Sequence, residues 1–325
     1  MQKKLFTALI LMALTLVMAA PSWAKMELKA GHTLAPAHPY HLGLIRFGEI
    51  IKEKTNGEIT LDAFHSSQLG SERELIEALQ MGTTDMCVIS TAPLAGFTKS
   101  FMVYDLPFIF PDSATAHKVL DGPIGQNSFV ELEKIGIIGL AFYENGFRQV
   151  TNSSKPLVKP SDARGLKIRT MENKVHMASF RAVGANPTPM AFGELFTALQ
   201  QKTIDAQENP LPIIYNNKFY EVQKYCSMTN HFYSPAPLLI SKKVWDKLSD
   251  EQKQIFKDAA VEARAYQREE LAKQDAAYLS DLKDMGMEIN EVDKEAWLKA
   301  MAPVYKQFEK EIGADLIKQV QDAGK

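Results

Sequence analysis

From Ser249 to Met285 the chain contains neither glycine nor proline, and this uninterrupted stretch restricts the fold more than any other feature. Ser249-Asp250-Glu251-Gln252 forms a capping box, in which serine and glutamine each satisfy an amide that the first helical turn leaves unpaired. Ile255, Phe256, Ala259, Ala263, Tyr266, Leu279 and Leu282 keep a roughly helical apolar stripe, and Gly286 supplies the stop. About 36 residues rising 1.5 Å each make a rod of about 54 Å, longer than one lobe is wide. Such a helix is expected to bridge two lobes as a strut. The length of 325 residues agrees, because single cores stop growing near roughly 250–300 residues.

Upstream, strands alternate with helices. Met26–Gly31 reads as a strand, Tyr40–Lys54 as a helix closed by Asn56-Gly57, and Ile59, Leu61 and Ala63 alternate as a second strand. Ser71-Glu72-Arg73-Glu74 is another capping box, opening a helix that ends near Gly82. Asp85–Ser90 and Ile137–Tyr143 are apolar enough for central, doubly covered strands. Strand Leu166–Thr170, helices Lys174–Val183 and Gly193–Gln201, and strand Ile204–Asn209 continue the series. The class is α/β with mostly parallel sheets.

One stretch repeats. Residues 74–86 (ELIEALQMGTTDM) and 194–206 (ELFTALQQKTIDA) match at seven of thirteen positions without a gap. Each reads as an amphipathic helix, a tight stop and a strand entered through Thr-x-Asp. A common helix–turn–strand recurring by chance would give the same text; two lobes on one βαβ plan would place the copies as they stand.

Lys3 and Lys4, an apolar run from Leu5 to Ala20, and small residues at Ser22 and Ala24 make a secretory signal peptide over 1–24, with cleavage after Ala24. The run is shorter than the roughly 20 residues a bilayer span needs. With 37 basic against 39 acidic side chains, and Lys3 and Lys4 lost on cleavage, the charge balance argues against nucleic acid as a partner. Cys87 and Cys226 lie far apart inside apolar stretches, without CxxC spacing, and read as two buried free thiols.

Catalytic and nucleotide signatures are missing: there is no G-x-S-x-G, HExxH, Walker A or GxGxxG. His32, His38 and His41 fit no standard zinc spacing, so neither metal nor cofactor is expected. The informative region is 145–209. Arg169 closes the strand Leu166-Lys167-Ile168-Arg169, at the carboxyl edge where open α/β sheets bind ligands. Its planar fork of donors suits a carboxylate or sulfonate. Asn209 stops another strand at the same kind of edge, and Arg148 sits on what reads as a crossing strand. Either of these arginines, taken alone, reads more readily as a surface ion pair.

Ser66-Ser67-Gln68-Leu69-Gly70, Asp105-Leu106-Pro107-Phe108, Gly165 to Arg169, Gly184 to Phe192, Asp205 to Pro210, Phe219 to Tyr225 and Met228 to His231 run in order along the chain. In these segments the sequence resembles the substrate-binding subunit of tripartite ATP-independent periplasmic (TRAP) transporters, the DctP/SiaP-like family. The resemblance implies a periplasmic binding protein fold: two α/β lobes hinged at a cleft, helices on both faces of each sheet, and a long helix, 249–285, spanning both. On that plan 25–147 with about 231–265 form lobe 1, and 148–230 with about 266–325 form lobe 2.

It further implies that Arg169 clamps a carboxylate, Asn209 assists it, Arg148 is a second cationic contact and Phe192 walls the pocket. Glu72, Ser90 and Thr91 then face the ligand's far end, with His32 and Thr33 nearby. Ser90 stands where sialate binders carry an acid, and the run Glu144 to Arg148 looks like the uronate- and aldonate-binding branch. The expected function is capture of a sugar acid in the periplasm for delivery to small and large membrane subunits. A short hydroxy-sulfonate such as isethionate, or a C4-dicarboxylate, is the alternative ligand. A periplasmic enzyme, with His32 and Glu72 as its nearest acid–base pair, is the alternative class.

Overall fold

Two sheets built on one plan carry the fold of the computed structural model, which describes residues 25–323. The expected signal peptide lies outside these residues. The strands are β1 (Met26–Gly31), β2 (Ile59–Phe64), β3 (Met86–Val88), β4 (Ile137–Phe147), β5 (Gln149–Asn152), β6 (Lys167–Thr170), β7 (Asn186–Pro189), β8 (Ala206–Asn209), β9 (Tyr225–Met228), β10 (Tyr233–Ser241) and β11 (Glu288–Glu291). The first sheet runs β2-β1-β3-β10-β4 and the second β11-β9-β5-β8-β6-β7.

The sequence repeat has a structural cause. In each sheet a βαβαβ unit winds so that its first strand lies between its second and third, all parallel: β2-β1-β3 and β7-β6-β8. In each unit the threonine hydroxyl bonds a helix carbonyl left over at the C-terminus, Thr83 to Ala78 O at 3.4 Å and Thr203 to Ala198 O at 3.1 Å. The aspartate two residues on accepts an amide from the neighbouring parallel strand, Lys29 N to Asp85 at 2.8 Å and Lys167 N to Asp205 at 2.9 Å. Gly82 (φ 72°) and Lys202 (φ 57°) turn both helices off through the same left-handed conformation. Thr-x-Asp therefore recurs because it fixes one helix-to-strand turn twice.

Both sheets are mixed, and the antiparallel strands are those that cross. β4 ends the first sheet at Phe147, and β5 begins in the second at Gln149, so Arg148 is the crossing residue. The chain returns through residues 229–232, from β9 of the second sheet into β10 of the first. β4 was expected at the centre of a sheet but lies at its end. Its apolarity reflects cover from helices: Phe142 stacks on Phe129 of the helix Pro123–Glu133 at 4.3 Å, and the long helix runs past its other side.

That long helix, Asp250–Asp284, opens with the expected capping box at Ser249 and Gln252. Near its start, Phe256 meets Phe47 edge-on at 5.6 Å. Near its end, Tyr278 stacks on Tyr215 at 4.1 Å and bonds Asn216 at 3.3 Å, both on the helix Leu211–Asn216 that follows β8. The strut thus grips both halves. In its middle, Gln267, buried, accepts Glu144 N–H (2.8 Å) and donates to Glu144 O (2.7 Å). Arg268 donates to Phe142 O at 2.8 Å. Two side chains of the helix thereby occupy polar groups that an end strand leaves open.

One continuous apolar cluster holds first-sheet residues (Leu28, Met86, Val88), second-lobe residues (Leu195, Leu199, Cys226) and Phe256, Ala259 and Ala263 of the long helix. The helices Pro303–Ile312 and Ala314–Ala323 send Val304, Phe308, Ile317 and Val320 into a cluster with Phe101, Leu120 and Ile137. The expected partition placed about 266–325 in lobe 2; the same cluster holds Val175 and Ala178 of the helix Lys174–Ala182, so the two C-terminal helices pack between them against both halves. Cys87 and Cys226 are free and buried, one in each sheet, and burial raises both thiols.

Candidate ligand-binding site

Arg169 is the third residue of β6, 2% exposed. Nε and Nη2 both donate to Met190 O, at 3.0 and 2.8 Å, which fixes the plane of the guanidinium. Nη1 is buried without a partner. Burial lowers this arginine to about 10, with Glu208 acting in the opposite sense, so it stays cationic at neutral pH. Its Cζ lies 5.9 Å from the Phe192 ring centroid. A narrow space beside it is lined by Ser71, Glu72 and Pro93 from the first half and by Met171, Glu172, Met190, Ala191 and Phe192 from the second. A buried cationic N–H without an acceptor is costly, and an anion entering this space supplies one.

Arg148, fully buried, donates from Nε and Nη2 to the Glu208 carboxylate and from Nη2 to Asn209 Oδ1 at 3.0 Å. His231 Nε2 lies 3.2 Å from the same carboxylate. Burial would raise Glu208, but Arg148 and His231 together hold it well below the usual carboxylate range. Arg148 was expected as a second cationic contact; Glu208 takes most of its hydrogen-bonding capacity and only Nη1 is unpartnered. Asn209 spends its oxygen on Arg148 and one amide hydrogen on Gln207 Oε1, 2.5 Å away, which leaves one N–H to offer.

From the first half, Glu72 begins the helix Glu72–Met81, the position Phe192 holds in the matching helix Phe192–Gln200. Ser90 N donates to Glu72 Oε1 at 2.6 Å. Burial raises Glu72, opposed by the Ser90 hydrogen bonds and by the positive charges of Arg169 and Arg148. Those interactions tie Glu72, Ser90, Arg148 and Arg169 to one locus. Thr91 is buried with an unpartnered hydroxyl. His32 and Thr33 are buried, but His32 is committed: Nδ1 accepts Leu34 N at 3.3 Å and Nε2 contacts His41 Nδ1 at 3.1 Å. Burial and the neighbouring histidines push its pKa down. Among the described residues no group of His, Cys, Asp and Glu is arranged to hold a metal ion.

Two buried residues went unnoticed in the sequence. Glu208 pairs with an arginine 60 positions away, and no local pattern reveals it. Tyr40 reads as an ordinary aromatic at a helix start, yet its hydroxyl is buried without a hydrogen-bond partner, and burial and the Glu72 charge raise its pKa.

A family model described as bacterial extracellular solute-binding protein, family 7 (DctP), matches residues 30–311. The chain belongs to this family. Among solved structures, this family 7 chain is 47% identical to a TRAP periplasmic solute-binding protein of Polaromonas sp. JS666 bound to D-erythronate. The TM-score is 0.90, covering 91% of this chain and 98% of that one. A sugar acid binding protein of Advenella mimigardefordensis in complex with galactonate is 37% identical, with a TM-score of 0.90 over 92% and 98% of the two chains. The 2,3-diketo-L-gulonate-binding periplasmic protein YiaO of Escherichia coli K12 is 39% identical over 305 residues, 93% of each chain. The two-lobed TRAP architecture is thus shared along nearly the whole described length.

Proposed function

We propose that this family 7 protein is exported to the periplasm, with cleavage after Ala24, and there captures a sugar acid, an aldonate or uronate, for a TRAP importer. Arg169 carries the reading: a buried guanidinium oriented by Met190 O, its Nη1 unpartnered, beside a narrow space between the two halves. The ligand carboxylate takes the Arg169 fork, Asn209 adds its remaining N–H, and Phe192 covers one side. Glu72, Ser90 and Thr91 meet the other end of the ligand. Exclusion of water strengthens the Arg169 contact, because the charges then interact in a medium of lower dielectric. The small and large membrane subunits of the importer receive the loaded protein. The role is binding, and the ligand is released unaltered.

The test is a melting-temperature screen of the mature protein against organic acids, followed by calorimetry. Aldonates and uronates raise the transition, and mass spectrometry after long incubation recovers them unchanged. A screen in which no acid shifts the transition contradicts the proposal.

A further inference from the structure

Asn173 stands just beyond β6 and is 4% exposed. Its side-chain amide makes four hydrogen bonds. Oδ1 accepts Val175 N at 2.8 Å and His176 N at 3.0 Å, capping the helix Lys174–Ala182 of the second half. Nδ2 donates to two groups of the first half, Ala92 O at 2.9 Å and Asp105 Oδ2 at 2.7 Å. Asp105, 3% exposed, ends the short helix Lys99–Asp105, and its other oxygen lies 3.3 Å from His176 Nε2. One side chain thus serves its own helix with its oxygen and spans the halves with its nitrogen.

The place of these bonds gives them a task. Pro93, next to Ala92, lines the space beside Arg169 from the first half, and Met171 and Glu172, just before Asn173, line it from the second. Widening that space carries Ala92 away from Asn173 and breaks the bonds that its nitrogen donates. The cap lies wholly within the second half and survives. The bond to Asp105 is buried and charge-assisted, which makes it one of the stronger kind. We propose that Asn173, acting through Ala92 and Asp105, is a positioning residue: a latch made only when the halves close, which holds the walls of the site together and slows release of the bound acid. This rests on the function proposed above and adds to it the residues that govern how long the ligand stays.

Stopped-flow association and release rates of the mature protein with D-erythronate, galactonate or D-glucuronate, whichever binds tightest, test it. Asn173→Ser is the decisive variant, because serine caps a helix about as well as asparagine but has no amide to reach across. It releases the acid about tenfold or more faster, while association stays within about twofold of wild type and the unliganded melting temperature holds. Asp105→Asn keeps an acceptor for Asn173 and removes its charge, so it speeds release less, about threefold. Release at the wild-type rate from either variant overturns the inference, as does slower association with release unchanged. An unliganded melting temperature that falls in Asn173→Ser also overturns it, since a bond already made in the open protein is no latch. A wild type that binds none of the three acids removes the function proposed above as well; wild-type binding with unaltered release from the variants removes this inference alone.

Discussion

Arg169 and Arg148 are both guanidiniums taken out of water, and their partners set their roles apart. Arg148 has a carboxylate of its own in Glu208, whereas Arg169 has only a carbonyl oxygen and an aromatic face. On the proposed function, removing Arg169 leaves the fold its internal ion pair and deprives the ligand of its counter-charge. Arg169→Ala is expected to cost about 3 kcal/mol or more of binding, roughly a hundredfold or greater in affinity by calorimetry, with the unliganded protein still folded. Glu208→Gln instead strikes the fold, because it leaves Arg148 charged and buried; denaturant titration should show a loss of about 3–5 kcal/mol at neutral pH. The pH dependence has a definite sign. Glu208 is held below its unfolded value, near 4.3 for a free glutamate, so its stabilisation is complete above that value and is lost as pH falls through it toward the folded pKa. The gap between wild type and Glu208→Gln should accordingly narrow as pH is lowered from about 5 to 3. The positions of Arg169 and Asn209 were legible because each lies at the carboxyl end of a short strand, Asn209 last in its own and Arg169 one residue before the end. Glu208 and Tyr40 were not, since a pairing across 60 positions and an unsatisfied phenol are properties of the packed chain.

At the scale of elements, what recurs along the chain could be read, and what depends on neighbours could not. The two capping boxes and the Thr-x-Asp turns are local and lie where the sequence puts them, and so does the helical stripe except at Tyr266, which is exposed while Gln267 beside it is buried. The end position of β4 was hidden, because an apolar run looks the same whether another strand or a helix covers it. Gln267 carries the sign that was available: it stands four residues beyond Ala263 and four before Leu271 on the buried stripe of the strut. A polar residue on an apolar stripe needs a partner, and here both its amide groups are used by Glu144 N–H and C=O. Gln267→Leu keeps the volume and strands those two backbone groups. Chemical denaturation should register a loss of roughly 2–4 kcal/mol, about 1–3 for each buried unpaired group less the gain from the added apolar surface. An exposed neighbour such as Lys273→Leu should change stability by no more than about 0.5 kcal/mol.

For the whole molecule, the question is whether the two halves melt together. Strand crossings at Arg148 and at residues 229–232, and the strut beyond them, tie the sheets covalently. More decisive is the apolar cluster in which Val88 and Leu238 of the first sheet share one core with Leu195 and Cys226 of the second half. Unfolding either half alone would expose that shared surface and leave Glu208 with Arg148 or His231 displaced, so partial unfolding gains little chain entropy for a large loss of burial. Scanning calorimetry should therefore show one transition whose calorimetric and van't Hoff enthalpies agree, despite the length of the chain. A ligand held between the halves binds only the folded state, so at a thousand times its Kd it should add about 4.1 kcal/mol and move that single transition upward as a whole. Arg169→Ala should leave the unliganded transition nearly in place and abolish the shift. Two resolved transitions in the wild type, or a ligand that moves only one of them, would mean that the shared core does not couple the halves.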